Sequence, residues 1–169
     1  MKNVRQTIQL LAFFAVIILI SSCSSKVTEP NPDSNSFAFE KDSKEYAKIL
    51  ATRSTTNDKE KFEIKEIKKD GDKLQIVVTG GCNINNYKVV WNGVILESYP
   101  AMINLVVVFQ QSSEIECMAI LDHTLELDLK KTLGEWYNPK DYHIIVSNGS
   151  KVADKLVDPD GNVSDTKKQ

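Results

Sequence analysis

The two histidines are the residues best suited to exchange protons near neutral pH, and they lie well apart in the sequence. His123 follows Asp122 between two predicted strands, where a turn is the favoured interpretation and a metal or general-base role is the alternative. His143 lies on the outward side of a predicted strand, and we expect it to be solvated. No serine lies in a Gly-x-Ser-x-Gly or Ser-x-x-Lys arrangement. The sequence therefore predicts no catalytic residue, and an enzyme whose site is assembled from distant residues remains the alternative.

An acid-rich segment, residues 158–162, has the character of an oxygen-ligand site. Calcium favours carboxylate and carbonyl oxygens on a flexible loop, so Asp158, Asp160 and Asn162 are candidate ligands. The segment lacks the complete calcium-loop pattern and its distal glutamate. Because Pro and Asp-Gly also form turns, a turn is the favoured interpretation. We expect no bound metal and no cofactor.

The segment Glu97-Ser98-Tyr99-Pro100-Ala101-Met102 joins two predicted strands and contains side chains suited to recognition. Its candidate contact residues for a protein or a glycan are Tyr99, Pro100 and Met102. Function often concentrates on loops that rigid strands hold in place. The segment is a possible recognition loop, and a plain connection that covers the end of the domain is the alternative.

The N-terminus has the layout of a secretory signal. Lys2 and Arg5 precede an unbroken apolar run from Leu10 to Ile20, which is shorter than the roughly 20 residues that a transmembrane helix needs. The segment resembles the type II signal of bacterial lipoproteins, with Ile20-Ser21-Ser22-Cys23 in the positions of the lipobox. An uncleaved membrane helix is the alternative.

The lipoprotein resemblance implies diacylglycerol on the Cys23 thiol, cleavage after Ser22 and acylation of the new amino group. Several acyl chains make the membrane anchor effectively permanent, because one chain alone binds only marginally. Ser24 follows the cysteine, which under the enterobacterial sorting rule implies the outer membrane. Residues 24–29 lack the acid-rich stretch that directs lipoproteins of Bacteroidota to the cell surface. We expect a periplasm-facing protein, with surface exposure as the alternative.

Cys82 and Cys117 are the two cysteines that remain beside Cys23. The cell envelope permits oxidation, so one disulfide between them is chemically reasonable. By closing the loop between the two cysteines, the disulfide would stabilise the fold by about 4 kcal/mol at most. A thiol or metal pair is the alternative, which the spacing does not support.

The remaining chain divides by composition into a tether, a domain and a tail. Residues 1–22 are the predicted signal peptide, 23–42 a lipidated flexible tether, 43–157 a folded domain and 158–169 a polar C-terminal tail. The segment from Glu45 to Thr52 has apolar spacing that fits either one helical turn or an irregular strand, and both remain open.

Apolar residues with a period of two predict seven short strands between residues 62 and 146. The turn dipeptide Asp70-Gly71 predicts a hairpin between the first two. The alternating sets are Phe62/Ile64, Leu74/Ile76/Val78, Tyr87/Val89/Trp91, Leu105/Val107/Phe109, Ile115/Cys117/Ala119/Leu121, Leu125/Leu127/Leu129 and Tyr142/Ile144/Val146. We therefore predict an all-β fold, an antiparallel β-sandwich of immunoglobulin-like architecture.

The charge of the chain argues against a nucleic-acid binder. Because Lys2 and Arg5 leave with the signal peptide, the formal net charge falls from -2 to -4. A nucleic-acid binder normally carries a basic stripe instead.

The region from residue 74 to residue 146 looks like that of small lipoproteins of Bacteroidota that have no assigned activity. Such relatives often have a histidine at the position of Asn85. The residues that carry the resemblance are Gly80-Gly81-Cys82, Tyr87, Trp91, Glu97-Ser98-Tyr99-Pro100, Cys117 and Leu125-Glu126-Leu127-Asp128-Leu129. The sequence as a whole predicts a membrane-anchored envelope lipoprotein that is a binding or structural module, with an envelope protein or glycan as partner. An envelope hydrolase is the alternative.

Overall fold

The computed structural model describes residues 36–53, 62–110 and 121–166. Two single-turn 3₁₀ helices, Ile84–Asn86 and Pro139–Asp141, precede the fourth and seventh strands. No helix in these ranges is both long enough and apolar enough to cross a bilayer. The elements in chain order are β1 (Ala38–Lys41), α1 (Ser43–Thr52), β2 (Glu63–Asp70), β3 (Lys73–Thr79), β4 (Tyr87–Leu96), β5 (Ala101–Phe109), β6 (Asp122–Asp128), α2 (Leu129–Leu133), β7 (Tyr142–Asn148), β8 (Asp154–Val157) and β9 (Val163–Asp165).

Six of the seven predicted strands are present, as β2 to β7. The predicted turn at Asp70-Gly71 is also present, and Gly71 has the positive φ of 55° that such a turn requires. The predicted strand from Ile115 to Leu121 lies outside the described residues apart from its last member. β1 lies within the predicted tether, and β9 lies within the predicted tail.

The described strands form two sheets that pack face to face. The larger has the order β1-β4-β5-β7-β8-β9, with β1/β4 and β5/β7 parallel and the other pairs antiparallel. The smaller is antiparallel, with the order β2-β3-β6. Their inner faces share one buried cluster, to which Leu74, Ile76 and Val78 of β3 contribute fully buried side chains. Burying each such side chain stabilises the fold by about 1.5–3 kcal/mol.

Helix α1 forms a third layer on the outer face of the larger sheet. It begins at Asp42, whose carboxylate accepts hydrogen bonds from the backbone of Lys44 and Glu45, each 2.9 Å long. This N-cap satisfies amides that an uncapped helix leaves without partners. The segment from Glu45 to Thr52, for which the sequence left two interpretations open, is therefore helical.

Two ionic contacts hold α1 against the sheet. Near its N-terminus, Lys88 of β4 lies 2.6 Å from Glu45 and 3.3 Å from Glu40, and its side chain is only 7% exposed. At the other end, Arg53 pairs with Asp154 of β8. Burial alone would lower the pKa of Lys88, but the hydrogen bonds to Glu45 and Glu40 outweigh it, and the pKa is raised.

The prediction of an all-β, immunoglobulin-like antiparallel sandwich is wrong. The sheets do pack face to face, but the larger is mixed, with two parallel pairs, and α1 covers part of its outer face. The class is mixed α/β. Alternating apolar residues locate strands but do not say which strands become neighbours, and a parallel pair joins strands that are distant in the chain.

The described loops lie at two ends of the sheets, and we name each end after one of its residues. The Tyr99 pole comprises loops 70–72, 97–100, 134–141 and 158–162, and the Ser36 pole comprises loops 80–86 and 149–153 together with Ser36. Contacts between the sheets fix this arrangement. At the first pole, the Lys69 ammonium donates to the carbonyls of Pro139 and Pro159, and at the second the Asn148 side chain donates to the carbonyl of Phe62.

Candidate recognition surface

Tyr99 is the most exposed large apolar side chain among the described residues, with 99% of its surface accessible. It lies at the tip of the hairpin that joins β4 to β5. Two hydrogen bonds within the tip hold its conformation. The Ser98 amide donates to the carbonyl of Leu96 at 2.9 Å, and the Ser98 hydroxyl donates to the carbonyl of Pro100 at 2.6 Å. The hairpin therefore presents the Tyr99 ring to solvent on a defined support.

Apolar side chains continue from the tip along the hairpin. Val94 and Leu96 are 47% and 45% exposed, and Met102 is half-buried opposite Leu96. The register of β4 shifts between Trp91 and Ile95, so β4 contains a bulge there. Of the residues predicted for recognition, Tyr99, Pro100 and Met102 all lie on this one hairpin.

A second exposed aromatic residue, Trp136, lies at the same pole. It is 51% exposed and packs on Tyr142, with 5.9 Å between ring centroids. Tyr142 begins β7, and its Cα pairs with that of Ala101, two residues after Tyr99. The sequence did not single out Trp136, although a tryptophan in a loop beside glycine and proline was the available signal.

The outer face of the larger sheet is only partly covered by α1. Glu45 of the helix contacts Lys88, and Arg53 directly after the helix contacts Asp154. Lys88 and Asp154 both lie in the half of the sheet nearer the Ser36 pole. The other half bears half-buried side chains that follow one another across three strands. These are Met102, Asn104, His143, Ile145 and Leu156, in adjacent registers. The exposed hairpin thus continues into a partly open, largely apolar sheet face.

The two histidines are not brought together. His143 lies on the open half of the sheet, whereas His123 lies near the Ser36 pole with its ring centroid 5.7 Å from that of Tyr87. Its Nε2 is 3.4 Å from the carbonyl oxygen of Gly81. The predicted turn at Asp122-His123 is wrong, because both residues begin β6 and pair with β3. Cross-strand pairing replaced the local turn preference there.

Asp122 and Tyr87 have shifted pKa values for structural reasons. Hydrogen bonds from Thr79 and Lys65 hold the pKa of Asp122 below its usual value. Burial, with a smaller effect of Asp122, raises the pKa of Tyr87 to about 12, and its hydroxyl donates to the carbonyl of Gly80. Both pKa shifts are therefore explained by burial and by hydrogen bonds within the fold.

The candidate calcium ligands lie in the turn between β8 and β9. The carboxylate of Asp158 accepts hydrogen bonds from both the backbone and the side chain of Asn162, each 2.8 Å long. These bonds, the side-chain bond first, lower the pKa of Asp158. Asp160 pairs with Lys140 at 3.2 Å. Across the described ranges, no group of three or more His, Cys, Asp or Glu side chains is placed to hold a metal ion.

The cysteine predictions depend on residues outside the described ranges. Cys82 is exposed in the bend after Gly81, whose φ is +68°. Its predicted partner Cys117 and the predicted lipidation site Cys23 lie outside the described residues, so both modifications stay predictions. Gly81 itself is required locally, because a Cβ at this position would overlap the ring of Phe109.

No protein-family model, no curated protein and no solved structure matches this chain.

Proposed function

We propose that this chain is a lipid-anchored protein of the bacterial envelope that serves as a binding module, and that its Tyr99 pole contacts the partner. The observation that carries the proposal is the nearly complete exposure of Tyr99 on an ordered hairpin. Exposed apolar side chains that lie together often mark interaction sites. Tyrosine, tryptophan and methionine are enriched at such sites, and all three occur at this pole.

The position of the proposed anchor supports this assignment. β1 runs parallel to β4, and Ala38 pairs with Lys88 near the start of that strand. The chain that would lead back to Cys23 therefore joins the domain near the Ser36 pole. Lys88 pairs with Val108 and Leu96 pairs with Met102, so Leu96 lies about 20 Å farther along the sheet, from the usual rise per residue along this part of β5. A domain held by this tether has its Tyr99 pole on the side away from the point of attachment.

The anchor is tested by replacing its cysteine. We expect wild-type protein in the membrane fraction, with a mass that starts at a lipidated Cys23, and we expect Cys23→Ala to leave that modified form absent. An unmodified precursor in wild-type membranes would refute the anchor. The predicted location is the outer membrane with the domain facing the periplasm, and protease access to intact cells tests the surface-exposed alternative.

The binding role is tested by photo-crosslinking in cells. A photoreactive amino acid replaces Tyr99 in one variant of the full chain and Lys48, an exposed position on α1, in the matched control. We expect a discrete adduct from position 99 and none from position 48. Adducts of equal yield from both positions, or none from position 99, would contradict a recognition role for this pole.

A further inference from the structure

The described loops of the Tyr99 pole carry more carboxylates than lysines. Loops 70–72, 97–100, 134–141 and 158–162 together contain seven carboxylates and one lysine. That lysine, Lys140, pairs with Asp160, and Lys130 at the margin pairs with Glu135. Lys69, also at the margin, has its ammonium bonded to two backbone carbonyls. Glu97 lies two residues before Tyr99 and is exposed.

The opposite pole differs in charge. Its described loops, 80–86 and 149–153, contain no carboxylate and one lysine, Lys151. Among the described loops, the carboxylates are therefore concentrated at the pole that bears the exposed apolar hairpin. Charges arranged around an apolar centre select partners of the opposite sign and increase the rate of encounter.

We infer that the partner of the Tyr99 pole is a protein surface with an apolar centre and a basic rim of lysine or arginine side chains. This inference rests on the proposed function and adds the chemistry of the partner. The aliphatic side chains beside Tyr99 suit the centre of a protein–protein interface, where apolar residues are buried and charged residues lie at the rim. The acidic rim disfavours anionic lipid surfaces and phosphate-rich polymers, because like charges repel.

The test uses two synthetic peptides of equal length and equal apolar content, one with lysines and one with glutamates at the polar positions. Each is titrated against the full-length protein in nanodiscs of zwitterionic lipid. At about 0.05 M salt we expect the cationic peptide to bind at least about tenfold more tightly than the anionic one. At about 0.5 M salt this ratio should shrink, since exposed charges are then screened.

Two variants with matched loss of charge locate the effect. Glu97→Gln combined with Asp141→Asn removes charge at the Tyr99 pole and should reduce the preference for the cationic peptide to about threefold. Glu63→Gln combined with Glu66→Gln removes the same charge from β2 and should leave the preference unchanged. Equal effects of both variants would overturn the inference.

The remaining outcomes separate this inference from the proposed function. Tyr99→Ala should weaken binding of the cationic peptide while leaving its salt dependence in place. If a residue-99 crosslink forms in cells but the protein prefers the anionic peptide, vesicles of anionic lipid or a neutral glycan, the binding role stands and the basic partner is excluded. If Tyr99→Ala changes no binding and position 99 gives no crosslink, the proposed function itself fails.

Discussion

The buried lysine beneath α1 permits a test of how the helix is held to the sheet. Lys88 lies 2.6 Å from Glu45 and 3.3 Å from Glu40, and its side chain is 7% exposed, whereas the two glutamates are 31% and 37% exposed. At an effective dielectric constant near 20, these distances correspond to attractions of about 6 and about 5 kcal/mol. The cost of removing the ammonium from water is also several kcal/mol, so the net contribution of the cluster is small.

This balance predicts an asymmetry between the partners. Glu40→Gln combined with Glu45→Gln leaves the ammonium of Lys88 buried without a counter-charge, and should lower the free energy of unfolding by about 3–5 kcal/mol. Lys88→Met retains the apolar stem and removes the buried charge. The two glutamates remain in partial contact with water, so this variant should lose only about 1 kcal/mol or less.

Urea denaturation of the three variants at neutral pH measures these differences. The triple variant that combines Lys88→Met with both glutamine substitutions is the control, and it should recover most of the stability that the double variant loses. The reasoning is refuted if Lys88→Met is more destabilising than the double variant, or if the triple variant is the least stable.

The raised pKa of Lys88 also predicts how stability depends on pH. Its contribution should be complete at neutral pH and should be lost as the pH rises above 10.5, the ordinary value for lysine, and through the higher pKa of the folded state.

Three further predictions concern local features. Gly81→Ala should cost about 2–3 kcal/mol in denaturation experiments, because φ is positive and the new methyl overlaps an aromatic ring, whereas Gly71→Ala, with a positive φ and open space, should cost about 1 kcal/mol. Asp158 has a lowered pKa, so its contribution should be present above pH 3.8 and disappear as the pH falls through the lower folded value; Asp158→Asn should flatten that part of the stability profile. Peptide mapping without reductant should link Cys82 with Cys117, and reduction should lower the free energy of unfolding by up to about 4 kcal/mol, whereas two free thiols in exported protein would exclude the bridge.

The strands with strict alternation were predictable because one side of each faces the shared core. Leu74, Ile76 and Val78 are buried while Lys73 is exposed, as a period of two requires. The short strands β1, β8 and β9 have no such pattern, since each contains three or four residues and fewer than two are buried. They form because neighbouring strands offer backbone hydrogen bonds, which local composition does not report.

The sequence contains a signal for helix α1 that is independent of the spacing of its apolar residues. Asp42 at the N-cap and Glu45 three residues later resemble a capping box, a common start of a helix. β5 carried another signal, because Leu105 to Val108 is a continuous apolar run and not an alternating one. A strand with apolar residues on both faces is covered on both faces. Together these two observations point to a helix on a sheet, the arrangement that a two-layer sandwich excludes.

The hairpin that joins β4 to β5 is where the observed residues depart most from the rules that favour polar residues in exposed turns. A turn that only reversed the chain would be polar, yet Val94, Leu96 and Tyr99 expose apolar surface there. Burial contributes nothing to stability for a side chain that is 99% exposed, so the fold gives no reason for Tyr99. Departures of this kind concentrate at functional sites. Since removing such a side chain should leave stability within about 0.5 kcal/mol, a loss of binding in Tyr99→Ala would report a lost contact and not a lost fold.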